Sequence, residues 1–248
     1  MLEETTAFPE PLDWTRLSAL ADQISAVLQQ AEAALALEQA VHGLDTMSEV
    51  ALQTVLQKGL EHFYAVTREV HYPSSSAAKR SSRKRCDLVL SPLGTQLLPE
   101  SNEQLSLHLS DSASAPRLYD PQASFWLEVK VAYQLRAGGL QHKGYSGQFR
   151  QAVVADLRKL TAEPLIRHAA LLLIAFNESA EIASQDLALF EALFFPKQEL
   201  PGSRQVRSSR IQDRIGHRLC TTTLWPMPPR TMNASSCDSS VRGLPPGA

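Results

Sequence analysis

The chain is poor in cysteine. Its three, Cys86, Cys220 and Cys237, show neither paired metal spacing nor a disulfide framework, the pattern of a reducing, intracellular setting. Aromatic content is low, at 6%. No segment approaches the ~20 apolar residues of a membrane span; Ala169 to Phe176 is only strand-length. Charge of either sign is nearly balanced, with a formal net charge of -2. That argues against a protein whose whole surface tracks nucleic acid and leaves room for a local basic site. The opening Met-Leu-Glu-Glu-Thr-Thr is acidic and lacks the apolar run of a signal peptide. A soluble, cytoplasmic protein with no membrane association is expected.

Several enzyme signatures are also missing. There is no G-x-x-x-x-G-K-[ST] loop, so ATP is not implied. The histidines, His42, His62, His71, His108, His142, His168 and His217, are scattered without H-E-x-x-H or zinc spacing. Gly138-Gly139 lacks the third glycine of a dinucleotide loop. Gly144-Tyr145-Ser146-Gly147-Gln148 looks like a nucleophile elbow until its last position, which is Gln148 rather than glycine.

An apolar content of 44% supports a substantial core, and 248 residues fit one domain with trimmings. That domain is expected over 14–225, with a proline-, serine- and glycine-rich, disordered tail over 226–248. Leu17, Leu20, Ile24, Leu28, Ala31, Leu35 and Val41 recur at near-helical spacing, predicting an accessory N-terminal helix over 14–42. A second helix starts after Gly43, where Thr46-Met47-Ser48-Glu49 reads as a capping box with Glu49 at the third helical position. Val50, Leu52, Val55, Leu56 and Leu60 supply its buried side.

Strands are predicted at Phe63–Tyr72, Cys86–Leu90, Ser124–Val131, His168–Phe176 and Leu219–Trp225. The His168 strand is continuously apolar, as inner strands are. Helices are predicted at 147–162 and 184–195. Pro92 to Tyr119 is a long polar connection in which Leu105, Leu107 and Leu109 alternate as an edge-strand candidate. Residues 197–214 read as basic and polar. The order, helix, three strands, helix, strand, helix, strand, predicts an α/β fold with a mixed sheet between helices.

Chemistry concentrates in two strands. In Ser124-Phe125-Trp126-Leu127-Glu128-Val129-Lys130-Val131, Glu128 and Lys130 fall on one face, because side chains two apart on a strand share a side. Burying them costs several kcal/mol unless each has a partner. Asp87 lies in the similarly apolar Cys86–Leu90 strand. Two carboxylates and a neighbouring lysine suit a magnesium site, with hard oxygen ligands and an amine to orient or deprotonate a water. The competing reading is an arginine-paired aspartate and a surface Glu-Lys pair on an edge strand.

The arrangement Asp87 … Glu128-Val129-Lys130 resembles the PD-(D/E)xK nuclease superfamily, the restriction-endonuclease-like fold; Cys86 stands where the family often has proline. The likeness spans roughly 45–176. It implies a mixed central sheet flanked by helices and a metal-dependent nuclease acting on phosphodiester bonds, foremost in DNA. Asp87 and Glu128 would ligate Mg²⁺ or Mn²⁺, with the Val129 carbonyl as a further ligand. Lys130 would position or deprotonate the attacking water. Glu49 is either a helix cap or the helix glutamate that joins the metal site in some members. Gln148 is either part of the metal-water network or a surface residue.

Lys79, Arg80, Arg83, Lys84 and Arg85 form the most basic local stretch, readable as a phosphate-contacting loop or as a solvated hairpin. A homodimer is suggested by the family. The alternative is a catalytically inactive member serving as a nucleic-acid- or protein-binding subunit.

Overall fold

The computed structural model describes residues 17–74, 84–98, 117–136, 138–194 and 204–227. Helix α1 (Leu17–Leu37) is followed by a 3-10 turn (Leu44–Thr46), helix α2 (Glu49–Leu60) and strands β1 (Tyr64–His71) and β2 (Arg85–Pro92). Short strands β3 (Thr95–Leu97) and β4 (Arg117–Tyr119) pair in parallel. Strand β5 (Phe125–Tyr133) leads into a small hairpin of β6 (Leu135–Arg136) and β7 (Leu140–Gln141). A helical turn (Tyr145–Gly147) and a π-helical stretch (Gln148–Ala152) run into α3 (Val153–Ala162). Strand β8 (His168–Asn177), helix α4 (Ala180–Phe194) and strands β9 (Gln205–Arg210) and β10 (Leu219–Pro226) follow.

Six strands form one mixed sheet in the order β1-β2-β5-β8-β10-β9. Neighbours are antiparallel except β5 and β8, which run parallel from Phe125↔His168 to Tyr133↔Phe176. A parallel pair needs a crossover, and the π-helical stretch with α3 supplies it. Helices flank the sheet on both faces. On β5, Phe125, Leu127, Val129 and Val131 pack towards α1 and α2, while Trp126 and Ala132 pack towards α3 and α4. Strand β8 is buried from both sides, which is why its sequence is continuously apolar rather than alternating.

The α/β architecture and its helix-flanked mixed sheet are as expected; four local expectations are corrected. Helix α2 begins at Glu49 with Ser48 as N-cap, its hydroxyl oxygen accepting from the Ala51 N–H at 3.2 Å. Glu49 is thus the first helical residue, not the third, and the capping box does not form. Val50 and Val41 are exposed; the buried side of α2 is Leu52, Gln53, Leu56 and Leu60. Strand β9 was unforeseen because its Gln-Val-Arg-Ser-Ser-Arg run carries almost no apolar alternation; backbone pairing to β10 makes the strand. Pro226 closes β10 opposite Ala170 and Met227 is buried, so the ordered chain passes the expected tail boundary. Residues 14–16, 228–248 and the Leu105, Leu107 and Leu109 alternation lie outside the described residues. No helix among the described residues is long and apolar enough to cross a membrane.

Two buried contacts, one ionic and one a histidine–carboxylate hydrogen bond, tie the chain before β10 to the start of the fold. Arg214 sits 2.5 Å from Glu32 Oε1 on α1, and its Nε donates to the Ala40 carbonyl. It crosses so close to Gly43 that a Cβ there would lie 2.3 Å from a guanidinium nitrogen, which explains the glycine. His217 Nε2 accepts from the Leu135 N–H at 2.9 Å, so Nδ1 carries the hydrogen and donates to buried Asp45 at 3.1 Å. This anchors the chain as it leaves β5. Edge strand β9 is held laterally by Arg204 to Glu191 of α4 and by Arg207 to Asp22 of α1.

Helix α1 ends in a Schellman motif: the Ala40 N–H donates to the Leu35 carbonyl and the Gln39 N–H to the Ala36 carbonyl. Gln39 occupies the left-handed position, at φ 53°, where a side chain is strained. Gln39→Gly is expected to stabilise the protein by about 0.5–1 kcal/mol, read from the urea midpoint at unchanged m value.

Candidate active site

The site starts where the β-ladder opens. Strands β2 and β5 pair through Leu90↔Phe125, Val89↔Trp126 and Leu88↔Leu127. Next along β2, the Asp87 side chain takes over, Oδ2 accepting from the Val129 N–H at 2.7 Å. On its other flank, β1 pairs at Arg68↔Leu88 and Val70↔Cys86, and Glu69 between them adopts a left-handed backbone with φ 54°. The sheet is distorted around Asp87, and a carboxylate takes a backbone donor that a ladder would otherwise use.

Glu128, next to Val129, faces α3 and is 1% exposed. Its Oε1 accepts from the Tyr72 hydroxyl at 2.5 Å and lies 2.5 Å from Lys159 Nζ. Its Oε2 is buried and has no hydrogen-bond partner among the described residues. Lys159 is also 3.3 Å from Asp156 one helical turn earlier, and donates to the Arg85 carbonyl. Lys130 Nζ lies 2.8 Å from Glu49 and 3.1 Å from Asp156, and it donates to the Val129 carbonyl at 3.1 Å. Asp156 therefore bridges two lysines, giving the ionic chain Glu49–Lys130–Asp156–Lys159–Glu128, with Asp87 alongside. Four carboxylates against two ammonium groups leave an excess of two negative charges when all are ionised.

Burial and the neighbouring Asp87 push the Glu128 carboxyl up to about 8, against the pull of Lys159. Burial alone would lower Lys130, but Glu49, Asp156 and Asp87 outweigh it and hold the amine above its ordinary value. Lys130 is therefore an ammonium at neutral pH, suited to placing positive charge rather than removing a proton. Lys159 is raised too, with Glu128 and Asp156 overcoming burial. Burial, Cys86 and Glu128 raise the Tyr72 phenol, which stays a donor, and burial raises the Cys86 thiol.

The sequence reasoning named Asp87, Glu128, Lys130 and Glu49, and the fold brings all four into this neighbourhood. Glu49 contacts Lys130 because, as the first helical residue, it is free of the capping role. Gln148 is elsewhere: its Oε1 accepts from the Tyr133 N–H at 3.1 Å, at the end of β5. Of the basic stretch, Arg85 is half-exposed and 4.0 Å from Glu69, while Lys84 contributes its carbonyl to the Tyr72 N–H. Lys79, Arg80 and Arg83 lie outside the described residues.

Sequence reasoning missed Asp156, Lys159 and Tyr72. The available signal was that Asp156 and Lys159 share a side of α3 with the buried Val153 and Leu160. Among the described residues no three acidic, histidine or cysteine side chains are grouped to hold a metal ion. The donor set that fits a divalent cation is thus two carboxylates, Asp87 and the orphaned oxygen of Glu128, with the rest left to carbonyl, water and substrate, a pattern natural to Mg²⁺. No family model, no curated protein and no solved structure matches the chain.

The folded chain holds the Glu128 proton more tightly than the unfolded chain does. The associated stability is fully present below the unfolded value of about 4.5 and is lost as pH rises through about 8. Glu128→Gln removes this dependence. In chelator, the stability of the variant relative to wild type should rise by about 2–4 kcal/mol from pH 5 to pH 8.5, read by urea unfolding at each pH.

Proposed function

We propose that this protein is a divalent-metal-dependent nuclease of the restriction-endonuclease-like type, hydrolysing phosphodiester bonds, foremost in DNA. The observation that carries the reading is the Asp87–Val129 hydrogen bond. It draws the β2 carboxylate to the middle of the Glu128-Val129-Lys130 segment, next in the chain to Glu128, whose buried Oε2 has no hydrogen-bond partner among the described residues. The element order supports the same reading: a helix, three antiparallel strands, a crossover helix and a parallel strand.

In this reading, Asp87 and Glu128 hold Mg²⁺ or Mn²⁺, and the Val129 carbonyl offers a further donor. When bound, the cation supplies a lowered water pKa and neutralises phosphate charge. Tyr72 and Lys159 fix one oxygen of Glu128 and leave the other for the ligand. Lys130, held protonated, exchanges a carboxylate contact for a phosphate oxygen and stabilises the negative charge that builds there. The carboxylate it retains, Glu49 or Asp156, keeps its ammonium aligned meanwhile.

One observation favours a second reading, a charge-compensated, inactive relative that binds nucleic acid or protein. Both lysines are already ion-paired within the cluster, so neither needs a phosphate to satisfy its charge.

Plasmid and single-stranded DNA should be cut in Mg²⁺ or Mn²⁺ and not in chelator. Asp87→Ala and Lys130→Ala should each lower the rate by at least ~100-fold at unchanged circular dichroism. No cleavage of any nucleic acid, with no divalent-ion heat in calorimetry, would sink the proposal in favour of the second reading. Because a proton competes with the cation for Glu128, the apparent metal affinity should fall by up to ~10-fold per pH unit below about 8. An affinity that is flat from pH 6 to 8 would remove Glu128 from the ligand set.

A further inference from the structure

A cavity of about 240 Å³ lies between the Tyr145–Ala152 turns and α4, and includes no residue of the Glu128 cluster. Its aromatic wall is Tyr145 and Phe149, with ring centres 5.0 Å apart at 73°, continued by Phe190 at 6.1 Å from Phe149. The Tyr145 hydroxyl is fixed from both sides: it accepts from the Asn177 amide and donates to Asp186 Oδ2, each at 2.7 Å. Asp186 lines the cavity and forms no ion pair among the described residues. Gln141 adds an exposed amide.

These features select a ligand. Among the described residues, the cavity's lining includes no lysine or arginine, and its one charged group is the Asp186 carboxylate. A carboxylate held by a phenol, with no cation to match it among the described residues, calls for N–H donors. The aromatic wall calls for a flat apolar body. The volume is below that of a drug-sized pocket, so it suits a single ring system and not a base pair.

We propose that this cavity receives one unpaired nucleobase, preferentially guanine, whose adjacent ring and exocyclic N–H groups both face Asp186. The assignment rests on the phosphodiesterase reading above. The connection to that site is direct: Phe149 of the cavity wall and Asp156 of the lysine bridge are seven residues apart on one continuous helical run, about 10 Å. A base seated here belongs to a nucleotide near the reacting phosphate, and it must be single-stranded, terminal or turned out of a duplex. Substrate choice would then lie with Asp186 of α4 and the aromatic wall, on residues separate from the metal ligands.

The test uses the full chain in chelator, so that cleavage plays no part. Guanosine, adenosine, cytidine and uridine are titrated by NMR, observing both ligand and protein. Guanosine should bind at least ~10-fold more tightly than uridine, the discrimination expected of a two-point contact to a base edge. Asp186→Asn, which keeps the Tyr145 contact, should erase that preference, and Ile182→Trp should fill the cavity and block all four. Absence of nucleoside binding, or a guanosine preference unchanged in Asp186→Asn, overturns the proposal whether or not the protein cuts DNA. Binding with the expected preference but no metal-dependent cleavage keeps the base site and discards the nuclease. Folding of Ile182→Trp is checked by its thermal midpoint, and Asp186→Asn alone decides if it fails.

Discussion

Much of this fold is organised by one constraint, the burial of the Glu128 carboxylate in the middle of a sheet. A carboxylate removed from water costs several kcal/mol unless its charge and lone pairs are met. The end of β1 meets it with the Tyr72 hydroxyl, and α3 meets it with Lys159. Lys159 in turn needs Asp156, and Asp156 needs Lys130, which reaches the first residue of α2. A single buried acid thus ties together two helices and two strands. The apolar packing on the same face, Trp126 against Tyr72 at 5.2 Å, excludes the water that would loosen these contacts.

How much of this was legible follows from the kind of signal each part leaves. Strands β5 and β8 could be read directly, because one interrupts an apolar run with charge and the other is apolar throughout. The α1 stripe was equally plain. Asp87, Glu128 and Lys130 stood out as charges where charge is costly. Asp156 and Lys159 did not, because a helix near the surface is expected to carry such residues, and only the depth of Glu128 gives them a task. Glu49 was found with the wrong register: Ser48, not Thr46, caps the helix, and that two-position shift frees the glutamate side chain for Lys130. Gln148 illustrates a different limit. Its position near the helix start was right, but a π-helical stretch rotates that region, and the amide serves the end of β5 instead.

The distortion at Asp87 shows how a sheet makes room for a side chain. Hydrogen bonding between adjacent strands normally leaves no free amide in a central strand. Here the Val129 N–H is satisfied by a carboxylate, so the ladder can part without leaving an unpaired donor. The left-handed Glu69 on the neighbouring strand keeps the register of β1 and β2 while bending the chain past that point. Strain and side-chain substitution together open a short gap in an otherwise continuous surface.

Strand β9 closes one side of the sheet and leaves its outer backbone edge without a strand partner among the described residues. Such edges recruit strands from other molecules. Its short run of serines and arginines offers little apolar surface for a second strand to cover. Arg204 and Arg207 at this edge are paired with carboxylates on α4 and α1. The same two ion pairs that fasten the edge therefore also set guanidinium charge beside it, the kind of feature that discourages edge-to-edge pairing and that salt screens.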